Sequence, residues 1–167
     1  MEESILEFGI KRENEERRDG GFAIVFDPNT KKYACYKYPK SETLCFFGGG
    51  FNDNENEIDG SLRELTEESG FYDFLLVEKL GNCFVHYFNR NKQVNRSAMV
   101  TSILVVLNSS DKNNQSLEDH ESDFELVFSE KDTILKSMLL NNQEKDYDHW
   151  IYFLEKADKR LKELGHL

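Results

Sequence analysis

Apolar and polar positions divide the chain into extended and helical stretches of different period. Phe22 to Phe26 is an unbroken apolar run, opened by Gly20-Gly21 and closed by the turn sequence Asp27-Pro28-Asn29-Thr30, and it predicts a buried strand. Tyr33 to Tyr38 predicts the returning strand of a hairpin, ended by Pro39. Leu44 to Phe47 is a third short apolar run, leading into Gly48-Gly49-Gly50, three residues that grant backbone freedom and close approach. From Glu57 to Ser69 the period becomes helical, with Ile58, Leu62 and Leu65 on one face, and Gly70 marks the stop.

Leu75 to Phe88 and Ala98 to Leu107 are rich in aromatic and branched residues and predict strands. The polar stretch between them, Asn89 to Ser97, carries Arg90, Lys92 and Arg96. Asn108 to Asp123 reads as a long polar loop, followed by a short strand near Phe124 to Phe128 and a helix over Lys131 to Leu140. The segment 146–167 predicts a C-terminal helix, with Trp150, Phe153, Leu154, Ala157 and Leu161 on one stripe. Strands, one helix, more strands and then helices predict an α/β (α+β) fold, a mixed sheet covered by helices.

A length of 167 residues suits one domain, 1–167, able to bury a core without disulfides or a structural metal. Residues 1–19, with a run of mixed charge over 11–19, read as a solvated lead-in. The net charge of −11 counts against a broad nucleic-acid or anionic-lipid surface, so an anionic substrate must be bound locally, and a divalent cation is the device that reconciles phosphate with carboxylates. Cys35, Cys45 and Cys83 are odd in number, lack zinc-site spacing and read as buried thiols. No basic region followed by an apolar run opens the sequence, and no apolar stretch is long enough to span a bilayer, so a cytoplasmic protein without a membrane partner is expected, as a monomer or homodimer.

Glu64, Glu67 and Glu68 stand at i, i+3 and i+4, which gathers three carboxylates on one helix face. Each like-charge pair costs an isolated helix about 0.2 to 0.5 kcal/mol, and the helix dipole disfavours negative charge near the C-terminal end. Arg63 answers part of this charge and Glu55 can approach its guanidinium, but one arginine does not neutralise four carboxylates. A hard divalent ion would do the rest. A solvated acidic face is the ordinary reading of a Glu-rich helix, and here the spacing argues against it.

Gly49, Glu55, Arg63, Glu64, Leu65, Glu67, Glu68, Gly70 and Phe71 fit the pattern Gly-x5-Glu-x7-Arg-Glu-U-x-Glu-Glu-x-Gly-U, with U apolar, at every fixed position. Chance coincidence of its seven invariant letters at a given start has a probability on the order of 10⁻⁸. This segment resembles the box of the Nudix hydrolases. The resemblance implies an α/β/α sandwich with a mixed sheet between helices, and hydrolysis of a diphosphate bond in a nucleoside diphosphate linked to another group, with Mg2+ or alternatively Mn2+ as cofactor. It implies Glu67 and Glu68 as metal ligands, Glu64 as ligand or general base, the carbonyl near Gly48 as a further ligand, and Arg63 and Glu55 as orienting residues. It also implies an acidic residue outside the box, for which Glu121 is chosen from Glu118-Asp119-His120-Glu121 by its distance from the following strand. Gly60 departs from the alanine more often found there.

Arg90, Arg96 and Tyr87 are candidates for binding a small diphosphate-containing substrate, with a solvated hairpin as the plainer alternative. His86 and His149 read as structural. The rival function is a noncatalytic Nudix-fold module that binds a nucleotide or a protein and regulates, although its usual mark, loss of box carboxylates, is missing from this sequence.

Overall fold

The all-apolar run after Gly20-Gly21 lies at the heart of the sheet because both of its faces are covered. In the computed structural model, which describes residues 4–39, 42–118, 121 and 124–167, the strand Gly20–Asp27 is buried along its whole length. The strands among the described residues are β1 (Leu6–Gly9), β2 (Glu16–Arg17), β3 (Gly20–Asp27), β4 (Lys32–Lys37), β5 (Leu44–Cys45), β6 (Phe47–Gly50), β7 (Phe74–Asn89), β8 (Val94–Leu107) and β9 (Glu125–Ser129). The helices are α1 (Glu57–Ser69), α2 (Lys131–Leu140) and α3 (Asp148–Glu163).

These strands form one mixed sheet in the order β1-β7-β8-β3-β4-β5, with β2 joined to β8, β6 to β3 and β9 to β4. β3 runs parallel to β8 and antiparallel to β4 and β6. Alternation along β3 sorts the core into two layers. Phe22, Ile24 and Phe26 join Leu104 and Val106 under Ile134 and Met138 of α2 and Phe153, Leu154, Ala157 and Leu161 of α3. Ala23 and Val25 join Ile103, Val105 and Leu107 under Leu65 of α1, with Ile58 and Leu62 at its margin. The architecture is the mixed sheet between helices that the element order predicts. Cys35, Cys45 and Cys83 are free and buried, and no helix among the described residues is long and apolar enough to cross a membrane.

Three segments differ from the sequence expectation. The run Leu44–Phe47 is split: β5 pairs with β4, β6 pairs with β3, and Phe46 between them is buried against Phe22 and Trp150. The polar stretch Asn89–Ser97 is largely strand, because β7 and β8 stay paired out to Asn89 and Val94 and turn only over 90–93. Cross-strand neighbours override the weak local propensity there.

The third difference concerns the segment read as a solvated lead-in, which contributes β1, parallel to β7, and β2, parallel to β8. Its charges are used pairwise at long range, which no local pattern reveals. Arg17 binds Asp19 and lies over the Phe84 ring, Arg12 reaches Glu144, and Glu7 and Glu15 grip the two ring nitrogens of His86, Glu15 at 2.9 Å from Nδ1.

With a carboxylate on each nitrogen, the His86 imidazole is held as the doubly protonated cation. Burial lowers its pKa, but the bonds to Glu7 and Glu15 outweigh that, so the net shift is upward from 6.5. The clasp therefore stabilises the fold fully below about pH 6.5 and is lost as pH rises through the raised folded value. Urea unfolding across this window should show stability falling with pH, and His86→Gln should flatten that slope. An unchanged slope in the variant would show that the clasp contributes nothing.

Candidate active site

Helix α1 is fixed at both ends before its carboxylates come into play. The Asn56 side-chain oxygen accepts the N–H groups of Ile58 (2.9 Å) and Asp59 (3.3 Å), capping the first turn. Gly70 ends the helix in the left-handed region at φ 83°, where a Cβ would also strike the Asn113 carbonyl. Glu57 accepts a 2.7 Å bond from Lys79 and a longer one from Asn82, tying the start of α1 to β7. With Leu65 turned to the core, Glu64 and Glu68 face β6.

Contact between α1 and β6 is close enough to require glycine. A Cβ on Gly49 would lie 2.5 Å from the Glu64 Cδ and 2.6 Å from both of its oxygens. The Gly48 N–H donates to Glu68 Oε1 at 2.7 Å. Gly60, inside α1, is explained the same way: a Cβ there would meet the Phe51 ring at 2.5 Å and Glu55 Oε1 at 2.8 Å. The cost of roughly 1 kcal/mol for a mid-helix glycine is accepted in exchange for close packing of the loop that carries Glu55.

Arg63 organises the acidic face. Its Nε donates to Glu55 Oε2 (2.7 Å) and its Nη2 to Glu55 Oε1 (3.0 Å), a bidentate pair, while Nη2 also donates to the Gly50 carbonyl (3.0 Å). Nη1 donates to Glu64 (3.1 Å) and Glu67 (3.2 Å). Glu55 is lowered to about 2, chiefly by its bond to Arg63 and then by the Asn52 N–H. Burial raises Glu64, against the opposing pull of Arg63.

Glu68 is 5% exposed and hydrogen-bonded to Glu121, which is itself buried. Burial first, and then the bond and charge of Glu121, push Glu68 up to about 11, with the Gly48 N–H opposing. Two carboxyl groups in hydrogen bond must share a proton, unless a cation replaces it. The ring of Tyr36, stacked on Phe124 at 4.3 Å, stands beside this pair, and both Glu68 and Glu121 act on its hydroxyl.

Glu55, Arg63, Glu64, Glu67, Glu68, Gly48 and Glu121 are thus brought together around α1 and β6. Asp119 and His120 lie outside the described residues. Among the described residues no three His, Cys, Asp or Glu side chains are gathered as a ready-made metal cage: Glu64 and Glu67 turn to Arg63, and Glu68 turns to Glu121. The donor set still fits a hard divalent ion, because it is all oxygen and because the buried Glu68–Glu121 pair carries negative charge that only a proton or a cation relieves.

The substrate candidates are placed on the other side of the sheet from α1. Tyr87 and Arg96 are cross-strand partners, Tyr87 packing against the core layer beneath α3. Arg90 is exposed at the hairpin tip, acting on Asp146 and Tyr147. His149 is buried edge-on to Phe22 and pushed down to about 3 by burial; like His86, it has no bond to the carboxylate cluster. Arg18 escaped sequence reasoning, since it sits within the mixed-charge run. Its guanidinium covers Gly50, and Nη1 donates to the Phe51 carbonyl at 2.9 Å.

The fold is that of the Nudix hydrolases. The Nudix domain of Shewanella oneidensis NrtR, in complex with ADP-ribose, superposes with a TM-score of 0.61 over 88% of this chain and 90% of its own, at 13% identity. The MutT protein of Methanosarcina mazei gives 0.58 over 89% and 98% at 15% identity, and the C. elegans Ap4A hydrolase 0.53 over 87% and 99% at 14% identity. No family model matches the sequence, and no curated protein matches it.

Proposed function

We propose that the protein is a metal-dependent hydrolase that cleaves a diphosphate linkage in a nucleoside diphosphate joined to another group. The observation that carries this reading is the meeting of Glu64 and Glu68 with the glycine strand, Glu64 against Gly49 and Glu68 on the Gly48 N–H. Carboxylates pressed on bare backbone, with no strand side chain between, set their oxygens beside those of the strand, a donor set suited to a hard divalent ion. Hydrolase relatives of the same fold support the reading.

Glu67, Glu68 and Glu64, with the Gly48 carbonyl, would hold Mg2+ or Mn2+, which when bound neutralises the diphosphate and acidifies water. Glu64 is assigned as the general base, since its carboxylate is partly buried and keeps one contact, Arg63, on a single oxygen. Glu121 is assigned beside it, within reach of Glu68. Arg63 and Glu55 position the acidic face. Arg96, Tyr87 and Arg90 are assigned to substrate.

The test is a panel of ADP-ribose, nucleotide sugars, dinucleoside polyphosphates, dinucleotide cofactors and nucleoside triphosphates, assayed with Mg2+ and with EDTA. Turnover of at least one compound, abolished by EDTA, is expected. Thermal stabilisation by a nucleotide without turnover of any compound would instead favour the noncatalytic, regulatory module.

A further inference from the structure

In a chain of net charge −11, cations without a carboxylate partner are informative. Arg18 is one of them. Its side chain bonds only to the Phe51 carbonyl and has no ion pair among the described residues, although it is exposed and carboxylates are abundant. The guanidinium lies flat on Gly50: a Cβ there would come within 2.6 Å of Nε and 2.7 Å of Nη2. The Gly50 carbonyl meanwhile accepts from Arg63 Nη2 on the α1 side. One strand residue therefore stands between two guanidinium groups, one committed to four acceptors and one nearly idle.

Arg96 is a cation whose carboxylate partner answers it only in part. Among the described residues its buried Nε has no hydrogen-bond partner, and its one ion pair is a 3.3 Å contact from Nη1 to Glu16, an exposed side chain. A buried guanidinium N–H left unsatisfied is costly unless a ligand completes it. Tyr87, the cross-strand partner of Arg96, has a hydroxyl without a hydrogen bond among the described residues, and that hydroxyl feels the charges of both Arg96 and Arg18. Arg18, lying on Gly50, and Arg96, paired across the strands with Tyr87, thus both stand within electrostatic reach of one phenol, and all three have donors to spare among the described residues.

We propose, on the diphosphate reading above, that Arg18, Arg96 and the Tyr87 hydroxyl form a receptor for a phosphoryl group of the substrate, across the glycine strand from the α1 carboxylates. Planar guanidinium groups match phosphate oxygens bidentately, and a phenol adds a neutral donor. The strand then separates two chemically opposite halves, an acidic side for a metal and a cationic side that holds a phosphoryl group directly. Arg17, one residue earlier, is spent on Asp19 and Phe84 and takes no part.

Inorganic pyrophosphate is the probe, titrated calorimetrically in EDTA so that no metal bridges it to the carboxylates. Wild type is expected to bind, and Glu64→Gln at least as tightly. Arg18→Gln, an exposed substitution, should weaken binding about tenfold or more, and Arg96→Gln similarly. Absence of wild-type binding, or equal affinity in Arg18→Gln, overturns the receptor. If the substrate panel fails while pyrophosphate binding still depends on Arg18, the receptor stands and the catalytic reading falls. If turnover is found with kcat/KM undiminished by Arg18→Gln, the receptor falls and the catalytic reading stands.

Discussion

Replacing Glu68 with glutamine is expected to lower activity by about 10² to 10⁴ while making the metal-free protein more stable at neutral pH. The two effects share one cause. Glu68 is buried, bonded to Glu121 and pushed up to about 11, whereas the unfolded chain ionises it near 4.5. A carboxyl group whose folded pKa is raised contributes stability that is full below the unfolded value and is lost as pH rises toward the folded one. Glutamine has the shape of the protonated acid, keeps an acceptor for the Gly48 N–H and never ionises, so it removes that loss. A gain of roughly 1 to 3 kcal/mol at pH 8 in EDTA is expected by the linkage. Denaturant unfolding in EDTA, beside turnover with Mg2+, checks both halves. A variant that is less stable and fully active would remove Glu68 from the site.

Arg63→Ala should be costly in both respects. The substitution removes six hydrogen bonds that reach three carboxylates and the Gly50 carbonyl. Glu55, Glu64 and Glu67 are left facing one another without a cation, and the loop over Gly60 loses its anchor. Bonds to charged groups contribute about 1.5 to 3 kcal/mol each when buried, but Arg63 is 26% exposed, and solvent screens part of this. A loss of about 2 to 4 kcal/mol is expected, with activity falling in parallel as Glu64 and Glu67 move. Arg63→Lys should recover only part of either, since an ammonium cannot reproduce the bidentate grip on Glu55. Full recovery by lysine would show that charge alone, and not the planar geometry, holds the acidic face.

What the sequence made legible was whatever follows from local period and spacing. The limits of α1, its Gly70 stop and the gathering of Glu64, Glu67 and Glu68 on one face follow from helical period and spacing, whereas its Asn56 cap was not read. β3 was readable because an apolar run bounded by glycines and a turn has few other uses. Glu121 was chosen by its position before a strand, and burial beside Glu68 is where it lies. Illegible features depend on partners far along the chain. β1 and β2 look like solvated charge until Glu7 and Glu15 find His86, more than seventy positions away. Arg18 differs from Arg17 only in which side of the sheet it reaches, and a run of mixed charge conceals that difference. The extended pairing of Asn89 and Val94 needed knowledge of the opposite strand.

β1 covers the outer hydrogen-bonding edge of β7 from Cys83 to His86. Without it, the longest strand of the molecule would present bare amides and carbonyls to any passing chain, a template for aggregation. Two glutamates on one imidazole thus act as the latch of a protective flap, and prolonged alkaline storage would tend to end in association rather than in simple loss of activity.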